Sequence, residues 1–326
     1  MAYGVSDLTV NINTVDRPQM VQAALQSLID TTPAGVSLQI VFNGSPEATY
    51  EKITEMAGQW NGPTNVVYLE EMLSIDESHN RALAGIETPL VNFMGDDDVV
   101  LAPRIPAMLE AFNTVDPEPV VVTTFARRIA GDAFNPVIGP YKDLGPTNLE
   151  EWEAFHETGQ SYELLWPGSI LNTELLRELG GFEAAFSQSF DNRIFSQMSF
   201  YGPVLSLPER NFGFRIHQGS MSSSSWESQN EIVRFVEACH AANFVGRPEP
   251  SFEDFRSAEA AEPTALQLRR KLHDRSRIHF RKGGALALSG DRLAGAAHVA
   301  KAMVIWPPAF IEKVKDQLGN KDYRRS

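Results

Sequence analysis

The chain has 326 residues, with 28 Lys and Arg against 42 Asp and Glu, a net charge of −14 and 43% apolar residues. This composition excludes disordered and collagen-like chains, no run reaches the ~18 apolar residues of a membrane span, and the acidic balance argues against general nucleic-acid binding, which needs clustered cations. A single cysteine, Cys239, excludes an internal disulfide and a Cys-based zinc site, and the opening MAYGVSDLTV lacks the basic and apolar regions of a secretory signal, so a cytoplasmic protein is expected.

Leu8, Val10 and Ile12 alternate with polar residues as a strand does, and Met20, Val21, Ala24, Leu25, Leu28 and Ile29 then repeat at helical spacing behind Pro18. Val36, Leu38, Ile40 and Phe42 predict a second strand that stops at Asn43-Gly44-Ser45, where Ser45 can cap a second helix opened by Pro46. A short strand is expected at Val66 to Leu69, and a helix capped by Asp76 runs through Ile86. The apolar run Leu90 to Met94 reads as a buried central strand. Helix Ile105 to Phe112 and strand Val120 to Phe125 follow. Periodicity then fades, and Arg127 to Gln160 reads as loops over the sheet edge.

Helices at Glu174 to Leu179 and Ile194 to Phe200, short strands at Val204 to Leu207 and Phe212 to Ile216, a polar turn at Ser220 to Ser225 and a helix from Ser228 to Ala241 complete this region. Alternating strands and helices predict an α/β fold whose mostly parallel central sheet carries helices on both faces and binds ligands at the carboxyl ends of its strands. An acidic, Pro-bearing stretch, 248–263, reads as a linker to a C-terminal α-helical appendage, 264–326. There Arg269, Arg270, Lys271, Arg275, Arg277, Arg281 and Lys282 face one acid, Asp274. This basic stretch could pack within the chain, join subunits into a homo-oligomer, meet an anionic membrane peripherally or contact an acidic partner, and the first two are favoured.

Three carboxylates, Asp96, Asp97 and Asp98, follow the buried strand directly. Alternation puts Asp96 and Asp98 on one side, where a hard divalent cation would relieve their repulsion. His217 ends the last strand, and Asp191 lies at a helix start.

Taken together, these motifs resemble the GT-A glycosyltransferases of the family 2 type, from about Asp7 to Ser225. Leu8 to Pro18 is similar to the family's opening strand and turn, Val41 to Ser45 to its second strand, and Ser78-His79-Asn80-Arg81-Ala82 to the helix reaching the nucleotide. Asp96-Asp97-Asp98 resembles the DxD metal motif. Gly168-Ser169 and Leu179 to Phe182 resemble the segment before the catalytic helix, Asp191 an aspartate of the Glu-Asp pair, and Pro208-Glu209 leading to His217 the late histidine. Phe190 replaces the acidic partner, Gln197 a frequent basic residue and Asn43 a frequent aspartate.

The resemblance implies a metal-dependent transfer of a sugar from a nucleotide-diphosphate donor, a UDP-sugar in first place, to an acceptor hydroxyl with inversion. Thr14, Asp16, Arg17, Asn43, Arg81, Asp96 and Asp97 would hold the nucleotide, and Asp96, Asp98 and His217 would hold Mn²⁺ or Mg²⁺. Asp191 would be the general base, desolvated by Phe190. The nucleotide-binding half would be 1–100 and the acceptor-binding half 101–247, together one domain. Trp166, Gly168 and Ser169 would meet the acceptor, a glycan, lipid or protein, with aromatic support from Trp152, Phe155 and Tyr162, and Ser222 to Ser225 would close as a lid. Two alternatives stand beside this one. A sugar nucleotidyltransferase would want a glycine-rich turn that Asn13 to Pro18 lacks, and a nucleotide-sugar binder without turnover is suggested by the missing acid next to Asp191.

Overall fold

The computed structural model describes residues 2–45, 47–130, 137–141, 143–216, 226–288 and 290–311. These fall into two compact units. One takes the chain up to Arg127 and from Tyr141 to Arg215, and the other takes Arg128 to Ala130, Val137–Pro140 and the chain from Ile216.

The sheet has nine strands, with order β3-β2-β1-β4-β8-β6-β9-β5 and β7 beside β6. Strands β1 (Leu8–Thr14), β2 (Ser37–Asn43), β3 (Thr64–Leu69) and β4 (Leu90–Gly95) run parallel. The remainder are β5 (Val99–Val100), β6 (Val121–Ala130), β7 (Val137–Pro140), β8 (Ile170–Asn172) and β9 (Val204–Ile216). Pairing turns antiparallel at β4–β8, β8–β6 and β5–β9. The period-two pattern sorts side chains to two cores, as a sheet covered on both faces requires. Leu8, Val10, Ile12, Leu38, Ile40 and Phe42 join one core with α1 (Pro18–Thr31), α2 (Glu47–Ala57) and α4 (Ile105–Thr114). Val41, Val91 and Phe93 join the other with α3 (Ile75–Ala84), α6 (Thr173–Glu178) and α7 (Phe190–Met198).

Several boundaries differ from expectation for local reasons. Ser74, not Asp76, caps α3: its hydroxyl accepts from the Glu77 amide while Glu77 accepts from the Ser74 amide, a reciprocal capping box. The two strands expected around Pro208 form one of 13 residues, because proline's φ suits extended backbone. The stretch read as loops holds the end of β6, β7 and α5 (Leu149–His156), a short helix capped by Asn148 and bearing acids in its first turn.

The second unit contains α8 (Trp226–Phe244), α9 (Phe252–Ala261), α10 (Thr264–Leu288) and α11 (Arg292–Ile305). Helix α9 occupies the stretch expected as a linker. Ser251 caps it, and Phe252 and Phe255 set their rings 5.0 and 5.4 Å from Phe235 of α8. No described helix is long and apolar enough to cross a membrane.

Candidate active site

The buried run of β4 delivers its chain end to Gly95, and the next three residues are the carboxylates. Asp96 is 6% exposed. Its Oδ2 lies 2.9 Å from Thr14 Oγ1 at the tip of β1, and its Oδ1 lies 3.1 Å from the Arg17 guanidinium, which also comes within 3.4 Å of Asp97 Oδ2. Asp98 is 3% exposed and accepts the Arg215 backbone N–H at 2.8 Å, while Arg215 Nε donates to the Asp97 carbonyl at 2.5 Å. Thus two guanidiniums, from the start of α1 and the end of β9, bracket the acids.

Bracketing does not cancel the cost of burial. Desolvation, then the neighbouring Asp97 charge, pushes Asp96 up to about 6 against the pull of Arg17 and Thr14. The same two causes raise Asp98 well above the usual carboxylate range, against its bond from Arg215. Buried carboxylate oxygens suit a hard divalent cation in kind. Gly95 leaves room for one, since a Cβ there would stand 2.9 Å from Asp97 Oδ1 and 3.1 Å from Asp98 Oδ2. Among the described residues no three His, Cys, Asp or Glu side chains converge on a metal position. His217 lies outside the described residues, as does the lid segment Ser222 to Ser225.

Of the expected nucleotide contacts, Thr14, Arg17, Asp96 and Asp97 converge. Asp16 is exposed in the turn after β1. Asn43 clasps the Leu73 backbone, donating to its carbonyl at 3.0 Å and accepting its N–H at 2.8 Å, so it shapes the approach to α3. Arg81 is exposed, a turn farther along α3 than Ser78, the residue that meets Asn13 of β1 at 3.4 Å.

Asp191 occupies the first turn of α7. A helix N-terminus favours a carboxylate's charge, but burial outweighs it and, with the nearby charge of Glu163, pushes Asp191 up to about 6. Phe190 does not supply this by lying over it. Its ring turns inward, 5.0 Å from Trp166, 5.4 Å from Phe182 and 5.4 Å from His79. Phe93 of β4 joins the same cluster, 5.8 Å from Trp166 and 5.1 Å from Phe182. One aromatic core therefore anchors both the strand carrying the aspartate run and the helix carrying Asp191. His79, expected only as part of the segment resembling the helix that reaches the nucleotide, is a member of this cluster. Its Nδ1 meets the Ile75 carbonyl at 2.8 Å and so carries the proton, and burial pulls its pKa down to about 4, leaving a neutral ring at pH 7.

Trp166, Gly168 and Ser169, expected at the acceptor, are instead buried. The Gly168 carbonyl accepts from Arg104 at 2.8 Å, the Ser169 carbonyl from Asn92 at 2.7 Å, and the Ser169 hydroxyl donates to Leu165 at 2.6 Å. Tyr162 is likewise core, at 1% exposure.

Asn80 fixes the loop before α7, donating to the Phe182 carbonyl at 2.8 Å and accepting the Phe182 N–H at 2.9 Å. Replacing it with Ala strands both backbone groups. Asn80→Ala should therefore lower stability by about 2 kcal/mol in urea unfolding, and a midpoint unchanged from the parent protein would refute the clasp.

The sequence matches the family described as Glycosyl transferase family 2 over residues 9–169. Solved structures with similar folds include S. aureus TarS 1-349 in complex with UDP-GlcNAc, at 16% identity and a TM-score of 0.55, covering 94% of this chain and 91% of that one. The same protein with UDP gives 14% and 0.52, covering 95% and 92%. GalNAc-T7 with UDP, GalNAc and Mn²⁺ gives 13% and 0.54 over 77% of this chain and 54% of that one. No curated protein matches the sequence. The fold is GT-A.

Proposed function

With residues 9–169 belonging to glycosyl transferase family 2, we propose that the chain transfers a sugar from a nucleotide diphosphate to an acceptor hydroxyl, with inversion, using Asp191 as general base. The observation that carries this is the shared aromatic core, which holds an acid run with buried Asp96 and Asp98 at the end of β4 and a separate, half-buried aspartate at the start of α7. Donor binding belongs to 1–100, acceptor binding to the residues around Asp191 within 101–247, and 264–326 is an appendage.

Asp191 accepts the acceptor's hydroxyl proton as that oxygen bonds to the anomeric carbon and the bond to the diphosphate breaks. A base at about 6 is better matched to neutral pH than an ordinary aspartate. Thr14 and Arg17 lie beside Asp96, where the diphosphate would rest, and Arg17 is the side chain able to offer it a cation directly. Asp96 and Asp98, with His217 outside the described residues, are the proposed holders of Mn²⁺ or Mg²⁺. When bound, that ion would neutralise the departing diphosphate. UDP in the TarS and GalNAc-T7 structures, and Mn²⁺ in the latter, support a UDP-sugar donor and a metal.

A thermal-shift panel of UDP-, GDP- and dTDP-sugars, each with Mn²⁺ and with chelator, tests the donor. A UDP-sugar with Mn²⁺ at about 100 times its Kd should raise Tm by about 5 °C or more. Absence of any shift across the panel would remove the donor site. Donor binding without product across an acceptor series would instead favour a nucleotide-sugar binder.

A further inference from the structure

The hairpin of α10 and α11 carries charge opposite to that of the whole protein. From Thr264 to Ile305 nine Lys and Arg stand against Asp274 and Asp291, in a chain of net charge −14. The two helices cross at backbone contact, since a Cβ on Gly283 or on Gly295 would come within 2.8 Å of the other's carbonyl oxygen. Ser276 Oγ closes the hairpin by donating to the Ala302 carbonyl at 2.8 Å. Gly295 and Ala302, seven residues apart on one face of α11, are buried by this packing.

The other face of α11 is uncovered. Leu293 is 87% exposed and Val304 79%, and Ala297 and Ala300 fall between them at helical spacing. The only charged side chains on α11 are Arg292 and Lys301, both basic and exposed. Beside this stripe His279 and His298 bring their Nδ1 atoms to 2.9 Å. The charges acting on His279 come from Lys282 on its own helix and from His298 and Lys301 on the helix packed against it, and all favour an anion. Three acids of this unit are engaged elsewhere: Glu259 and Glu262 pair with Arg270, and Asp274 with Arg234. Among the described residues no ion pair engages Lys282 or Lys301.

We propose that this face of α11 docks on an anionic lipid bilayer, with Leu293 and Val304 at the acyl boundary and Lys282 and Lys301 among the headgroup phosphates. An apolar helical stripe flanked by cations is the pattern that seats on such a surface. A two-fold dimer through the same face would instead gather the same lysines on both sides of one interface. The acidity of the remaining chain is no obstacle, because at 0.1 M salt charges beyond about 10 Å are screened. The inference is independent of the glycosyl-transfer reading, and either can fail without the other.

The test is co-sedimentation of the full chain with vesicles of phosphatidylcholine alone or with added phosphatidylglycerol. Binding should require phosphatidylglycerol and weaken as salt rises. Leu293→Glu with Val304→Glu, or Lys282→Glu with Lys301→Glu, should each weaken it by about tenfold or more. These side chains are exposed or partly exposed, so circular dichroism and Tm should stay near the parent values; Val304→Ser serves if the glutamates disturb folding. Protein that stays in the supernatant with anionic vesicles, or variants that bind as the parent does, would overturn the proposal. A doubling of mass in light scattering that Val304→Glu abolishes would assign the face to a second copy of the chain.

Discussion

Asp191→Asn should cut transfer by about 10²–10⁴-fold while leaving donor affinity unchanged. The amide preserves the shape of the first turn of α7 but cannot take a proton. In the parent protein the same group should set the pH profile. Its pKa is pushed up to about 6, so below that value the base becomes protonated and kcat/KM should fall about tenfold per pH unit. The variant's residual activity should lack this limb. Stability should move the other way. A carboxyl whose folded pKa lies above its unfolded value of 3.8 contributes stability that is full below 3.8 and is lost as pH rises through about 6. At pH 7 the ionised, half-buried aspartate is therefore a cost, and Asn, neutral at every pH, should stabilise the protein by about 2 kcal/mol. An inactive variant that is also more stable separates a catalytic base from a structural side chain. Full activity in Asp191→Asn, or a pH profile that keeps its acid limb, would remove Asp191 from the chemistry.

Strand positions were legible in the sequence because one period decides them. Leu8, Val10 and Ile12 could face only one core, and the continuous run Leu90 to Met94 could lie only between two. The acid run at the end of β4 was legible for the same reason. Its neutralisation was not. Arg215 lies 117 residues from Asp98 at the end of a strand expected as two pieces, and nothing local to it marks a buried arginine. The environment of Asp191 was half legible: its raised pKa follows burial, but Phe190, its neighbour in sequence, turns away into the cluster with His79 and Phe182. The same distinction accounts for Trp166 to Ser169. An aromatic next to glycine and serine does not reveal its partners in sequence, and here buried Arg104 and Asn92 draw that segment's carbonyls inward. The capping box of α3 was present in Ser74 and Glu77, but the acid at position 76 competed with it for the role of cap.

Calorimetry with UDP in Mn²⁺ and in chelator should show affinity that depends on the ion in the parent protein and does not in Asp98→Asn. The choice of asparagine follows from the geometry. Asp98 Oδ1 accepts the buried Arg215 backbone N–H, and alanine would take that acceptor away at a cost of about 1–3 kcal/mol. Loss of binding in Asp98→Ala could then mean only a collapsed site. Asparagine keeps a carbonyl oxygen for the amide and removes the charge that a hard cation needs. It also removes a carboxylate that burial and Asp97 hold far above its ordinary pKa, so folding should not suffer. In chelator the variant should bind UDP at least as well as the parent, because one negative charge fewer faces the diphosphate beside Arg17. In Mn²⁺ the parent should bind at least tenfold more tightly than the variant, a loss of about 1.4 kcal/mol or more. If Mn²⁺ leaves the parent's affinity unchanged, the aspartates hold no metal during donor binding. Charge for the diphosphate would then have to come from Arg17, and Arg17→Met should be the substitution that abolishes it.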